Sequence, residues 1–155
     1  MEHAFGDLQI AATTALALAL GAIIGWDREQ ADKPAGLRTH ALVCGAACML
    51  VSLGVLLPGD LDGSIAQTQV RSDPIRVMEA VITGVSFLGA GTIIRGRQRQ
   101  HVEGLTTAAA MLATAAIGIA VGVERFALAG LLTALVVLVL RVPSRRIVKG
   151  AASSS

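Results

Sequence analysis

LTTAAAMLATAAIGIAVGV, residues 105–123, runs for nineteen positions without a charge. The hydrocarbon core of a bilayer is about 30 Å thick, and a helix rises about 1.5 Å per residue, so roughly 17–25 apolar residues are needed to cross it. This stretch is long enough. Four others stand beside it: Leu8–Trp26, His40–Leu57, Pro74–Ile94 and Phe126–Leu140. The last is short and draws on its flanks, where Arg125 and Arg141 can snorkel. Only helices and closed barrels span lipid, and these runs are too long for barrel strands. The expected fold is an all-α integral membrane bundle of five transmembrane helices, two helical hairpins plus a fifth helix. It fills residues 1–142 and leaves a short basic tail at 143–155.

Composition agrees. The chain has 155 residues, 54% of them hydrophobic and only 15% charged, below the roughly 25% of a soluble domain. The net charge of +2 says less than its distribution, since ten of the thirteen basic residues lie in three segments. These hold Arg28, Lys33 and Arg38; Arg95, Arg97 and Arg99; and Arg141, Arg145, Arg146 and Lys149. All three fall on one side of a five-span topology. The positive-inside rule then puts the N-terminus outside and the C-terminus in the cytoplasm. The basic tail suits anionic lipid heads and needs no nucleic acid. The first span has Glu2 and Asp7 before it rather than a basic region, so it is not expected to be a cleaved signal peptide. Cys44 and Cys48 lie on one helix face without further metal-type ligands nearby and read as small packing residues.

Small residues recur at every fourth position: Ala17, Gly21 and Gly25; Thr106, Ala110, Thr114, Gly118 and Gly122; Gly130 and Ala134. Such stripes let helix backbones approach closely in lipid, within one chain or between copies in a homo-oligomer. Gly21, Gly25, Gly84, Gly89, Gly91, Gly118 and Gly122 are the expected packing glycines. Gly89-Ala90-Gly91 also allows an unwound turn in the third span. An internal duplication shows at an offset of 68: Gly21-Ala22 matches Gly89-Ala90, and Gly36, Leu37, Thr39 and Ala41 match Gly104, Leu105, Thr107 and Ala109.

Two groups of polar residues are candidates for function. One is a rim at the basic side, with Asp27, Arg28, Glu29, Arg38, His40 and Arg95. Anchoring explains cations there but not the acids mixed among them. His40 is expected to make an interfacial hydrogen bond, with proton handling as the rival. The other is intramembrane. Asp73-Pro74 reads as an N-cap followed by proline at the first helical position. Glu79 lies within the hydrocarbon, where an ionisable group is expensive unless partnered. A pair with Arg76 one turn away, a proton or cation role, and contact with another helix all remain open for it. No nucleophile–base set and no phosphate-binding loop is visible, so no enzyme and no cofactor is expected. The donors do not identify a metal.

Three stretches together resemble the MgtC/SapB family of bacterial inner-membrane proteins. They are GAIIGWDRE at 21–29 with AGLRTHALV at 35–43, DPIRV at 73–77 running through Gly84 to FLGAG at 87–91, and GLTTAA at 104–109 with AAIG at 115–118. The chain departs from the family pattern where Asp27 replaces Glu, Ala80 replaces Gln and Leu112 replaces Trp. It ends soon after Lys149, so a short form without the cytoplasmic C-terminal domain of longer relatives is expected. The resemblance implies a multi-pass plasma-membrane protein linked to magnesium limitation and intracellular survival. Its implied partners are the bilayer and other inner-membrane proteins, the F-type ATP synthase among them. Magnesium asks for six oxygens in an octahedron, and one intramembrane carboxylate is a poor ligand set for it. The function expected is therefore non-enzymatic modulation of other membrane proteins in low magnesium, acid or host-cell stress. The alternatives are a small ion or solute transporter using Glu79, and a purely structural subunit.

Overall fold

In a computed structural model of the chain, the described residues are 2–60, 74–95 and 102–142. They form five helices: α1 (Glu2–Gln30), α2 (Leu37–Asp60), α3 (Pro74–Thr92), α4 (Leu105–Gly122) and α5 (Phe126–Arg141). A two-residue antiparallel ladder, β1 (Ile94–Arg95) with β2 (Val102–Glu103), closes the turn between α3 and α4. Four helices are long and apolar enough to cross a membrane, and α5 is a shorter apolar helix. Their outer sides carry large apolar residues such as Leu42, Leu131, Leu138 and Val139 in the open, as lipid-facing helices do. Three hydroxyls inside the helices are satisfied locally: Thr83, Thr114 and Thr133 each donate to the carbonyl four residues back.

The helices begin and end where local chemistry dictates. Pro74 opens α3, a position where its missing N–H costs nothing. Both α1 and α4 finish in the same double-bonded stop. After α1, Asp32 N–H donates to Glu29 O and Lys33 N–H to Arg28 O. After α4, Glu124 N–H donates to Val121 O and Arg125 N–H to Ala120 O. Each stop needs one left-handed residue, usually glycine. Here two acids supply it, Asp32 at φ 57° and Glu124 at φ 60°. Helix α2 runs past the expected span end at Leu57 and continues through Pro58 to Asp60. A proline near a helix end removes one hydrogen bond without forbidding the final residues. The rest of that connection, including Asp73, and the tail at 143–155 lie outside the described residues.

Two hairpins pack by close backbone approach. In α1–α2, a Cβ on Gly21 would meet His40 O at 2.5 Å, and one on Gly25 would meet Leu37 Cα at 2.5 Å. In α3–α4, Gly89 lies against Ala108, and Gly104 at φ 91° lies against Thr92 and Ile93. The pair 21/40 becomes 89/108 and the pair 25/36 becomes 93/104, so the offset of 68 seen in the sequence recurs as repeated contacts. The hairpins meet through α2 and α4, which run parallel in one register. Thr114 faces His40, Gly118 faces Cys44 and Gly122 faces Cys48. Helix α4 touches all four other helices and buries ten residues, whereas α3 buries only Val81, Val85 and Gly89.

Two of the expected packing glycines meet no neighbour within the chain. Nothing lies within 4 Å of a Cβ built on Gly84 or Gly91. Both sit on the outward side of α3, because the stripe it turns to the bundle repeats at 81, 85 and 89. The helix is unbroken through Gly89-Ala90-Gly91.

Candidate functional site

Asp27 and Arg28 end α1 beside the end of α5. The Arg28 guanidinium donates from Nη2 to Asp27 Oδ2 at 3.0 Å and to Leu140 O at 3.4 Å. Arg141 donates from Nε to Asp27 Oδ1 at 2.9 Å. Each oxygen of one carboxylate thus takes a different arginine, and the second lies 114 residues along the chain. Charge-assisted bonds of this kind are stronger than neutral ones. Arg28 is 4% exposed while Arg141 reaches toward solvent. The Arg28 Nε is buried without a hydrogen-bond partner.

Glu29 has a different task. Its Oε2 accepts the Leu37 N–H at 2.8 Å, satisfying one of the free donors that open α2 and tying the tight turn shut. Arg38 is exposed and forms no ion pair among the described residues. The Arg95 backbone lies in the β1 strand, and its side chain lies outside the described residues.

His40 is fully buried. The interfacial bond expected of it is replaced by one between helices, because the stripe 40, 44, 48 faces α4. Its Nδ1 lies 2.8 Å from Thr114 Oγ1. The Thr114 hydroxyl gives its own proton to Ala110 O at 2.8 Å, so Thr114 accepts and His40 Nδ1 carries the proton. The neutral ring then presents a lone pair at Nε2, which is buried without a partner. Ser52 repeats the α2–α4 link further along, donating to Gly122 O at 3.4 Å.

The opposite end of the bundle is held by Gln9, whose Nε2 donates to Glu124 Oε1 at 2.7 Å. Beside this bond lies a cavity of about 500 Å³ lined by Gln9, Thr13, Ser52, Pro74 and Glu124 among others. Glu79 and Arg76 do not pair with each other; both are exposed on α3, and Asp73 is not described. No group of three or more His, Cys, Asp or Glu able to hold a metal occurs among the described residues. Cys44 and Cys48 are free, buried and packed in the core.

The structure therefore joins Asp27 to Arg28, brings His40 inside, and separates Glu29 and Arg38 from that cluster. Arg141 and Thr114 were missed as site residues. Arg141 read as a lipid anchor. Thr114 read as one more small residue in a stripe, although its hydroxyl among alanines was a signal.

Comparison with known proteins adds a family. The MgtC family profile matches residues 14–147. The Escherichia coli K12 protein called putative magnesium transporter YhiD is 40% identical over 106 residues, 68% of this chain and 46% of its own length. Protein MgtC of Salmonella typhimurium LT2 is 37% identical over 111 residues, covering 71% of this chain and 42% of its own. Protein SapB of Bacillus subtilis is 32% identical over 116 residues, covering 75% and 48%. The chain spans about half the length of the curated relatives it matches. No solved structure matches it.

Proposed function

Because the chain belongs to the MgtC family, we propose that it is a non-enzymatic protein of the bacterial plasma membrane that modulates other membrane proteins when magnesium is scarce or the surroundings are acid or host-derived. In this reading the basic loops and the Asp27 end face the cytoplasm, and the F-type ATP synthase is one partner of the right kind. One observation carries it. Among the described residues, Asp27 is engaged by Arg28 and Arg141 and Glu29 by the turn, while Arg38 is exposed and unpaired. A locked scaffold that presents the free Arg38 guanidinium suits docking better than turnover. Arginine's planar fork favours carboxylates on a partner.

The test is co-purification from native membranes in mild detergent at high and low magnesium. A membrane protein should be enriched at low magnesium. Arg38→Ala should lose that partner while the thermal stability of the detergent-solubilised protein is unchanged, whereas Asp27→Ala should lower stability. If both variants fold, localise and support growth in low magnesium as the parent does, the reading is wrong.

A transport reading draws on the name of one relative, the putative magnesium transporter YhiD. Glu79 argues against its use here, since it stands on the outside of the bundle rather than along a path through it. Flux in liposomes that changes with Glu79→Gln would reverse that preference.

A further inference from the structure

Helix α3 is turned the wrong way for a lipid-facing helix. Its bundle side is the narrow stripe Val81, Val85 and Gly89. At about 100° per residue, Arg76 points about 180° from Val85, with Glu79, Thr83 and Ser86 within about 80° of it. These four are all exposed, and at positions 76, 79, 83 and 86 they form one ridge on the outer side. The membrane-facing side of a span should be its most apolar side, and ionisable groups within a membrane face protein or water rather than hydrocarbon. The intrahelical alternative, Arg76 with Glu79, is not formed among the described residues.

The shape of this face is unusual as well. Phe87 lies on it with 81% of its surface exposed. Beside it, Gly84 and Gly91 have open space where a Cβ would be. They are one turn below and one turn above Phe87, so the helix carries a large ring and a hollow at the same height.

We propose that this face is where two copies of the chain meet, side by side and inserted in the same direction. Both features are self-complementary under the two-fold axis that such a dimer has. Parallel α3 helices put Arg76 of each copy about 4.5 Å along the axis from the other copy's Glu79, within the reach of an arginine. Two ion pairs form. Where the two helices cross right-handed at about −40°, as small-residue pairs do, the contact moves around the helix from Arg76–Glu79 so that each Phe87 ring seats in the other copy's hollow over Gly84 and Gly91. An unrelated partner would need its own matching acid, base, ring and hollow; a second copy has them already. This surface does not rest on the regulatory reading. A dimer without any captured partner protein would leave the surface standing and remove that reading.

The test is oxidative cross-linking in native membranes of full-length chain with Cys44→Ala and Cys48→Ala. A cysteine at Thr83→Cys, on the ridge, should give a disulfide-linked dimer, while Leu138→Cys, exposed on α5, should give little. Adding Arg76→Glu should lower the Thr83→Cys dimer roughly threefold to tenfold. Reversing both charges, Arg76→Glu with Glu79→Arg, should restore it, and the recovery also shows that the charge variants fold. The proposal is overturned by no dimer at Thr83→Cys, equal dimer at both cysteine sites, insensitivity to Arg76→Glu, or a cross-linked product containing a different protein.

Discussion

His40 shows how one side chain specifies the packing of two helices. A buried imidazole with no acceptor for its Nδ1–H costs about 1–3 kcal/mol, and among the described residues it is Thr114 that offers that acceptor. The helices α2 and α4 are thereby held in one register out of several that their small residues would tolerate. Thr114→Val keeps the volume and removes the oxygen. It should destabilise the protein by about 2 kcal/mol, read from unfolding in mild detergent. The same change should cost little once His40→Leu has removed the proton, and this double-mutant cycle isolates the bond. Nothing in the sequence near His40 announced this. Its partner lies 74 residues away, and a histidine one turn into a helix reads equally well as a rim residue.

At the scale of elements, glycines sort into two kinds that look identical in a sequence. A Cβ at Gly118 would strike the Cys44 carbonyl and would lie 2.9 Å from the Ala47 side chain, so backbone on one side cannot yield. Gly130 on α5 faces open space. Gly118→Ala should therefore destabilise by about 1–3 kcal/mol through overpacking. Gly130→Ala should be neutral or stabilise by up to about 1 kcal/mol through helix propensity. Thermal unfolding of the two variants side by side checks the contrast. The helices themselves were legible, because apolar length and Pro74 are local signals. The repeat at offset 68 was legible too, because the same close approach needs the same small residues in both hairpins. Which face of α3 turned inward was not legible, since Gly84, Gly89 and Gly91 carry the same composition and only Gly89 meets a neighbour. The Asp27 cluster was half legible for a similar reason. Acids among cations stood out, but Arg141 joins them only through the way α5 returns.

For the whole molecule, the charge asymmetry of the loops makes an orientation testable. The connections at 95–104 and 143–155 should report from the cytoplasm, and 61–73 from the opposite side, in reporter fusions. Finding 61–73 and 95–104 in one compartment would break the five-span topology. Within that topology α1 is fastened to the α4–α5 segment at both ends, through Gln9 with Glu124 and through Asp27 with Arg141. Eighteen residues separate the first pair of anchors on α1, about 27 Å of helix, and seventeen separate those on the other segment, about 26 Å. The two fastenings match in length, so neither helix must tilt against the other to reach them.

Helix α4, which touches every other helix, is fourth in chain order. A ribosome therefore delivers three helices into the bilayer before the piece that seats them exists. During that interval His40 has no Thr114, and the α2 face that receives Gly118 and Gly122 has no helix against it. Assembly of the bundle is thus a late event in synthesis, and the earlier helices must be tolerated by the membrane, or sheltered by the insertion machinery, until it occurs.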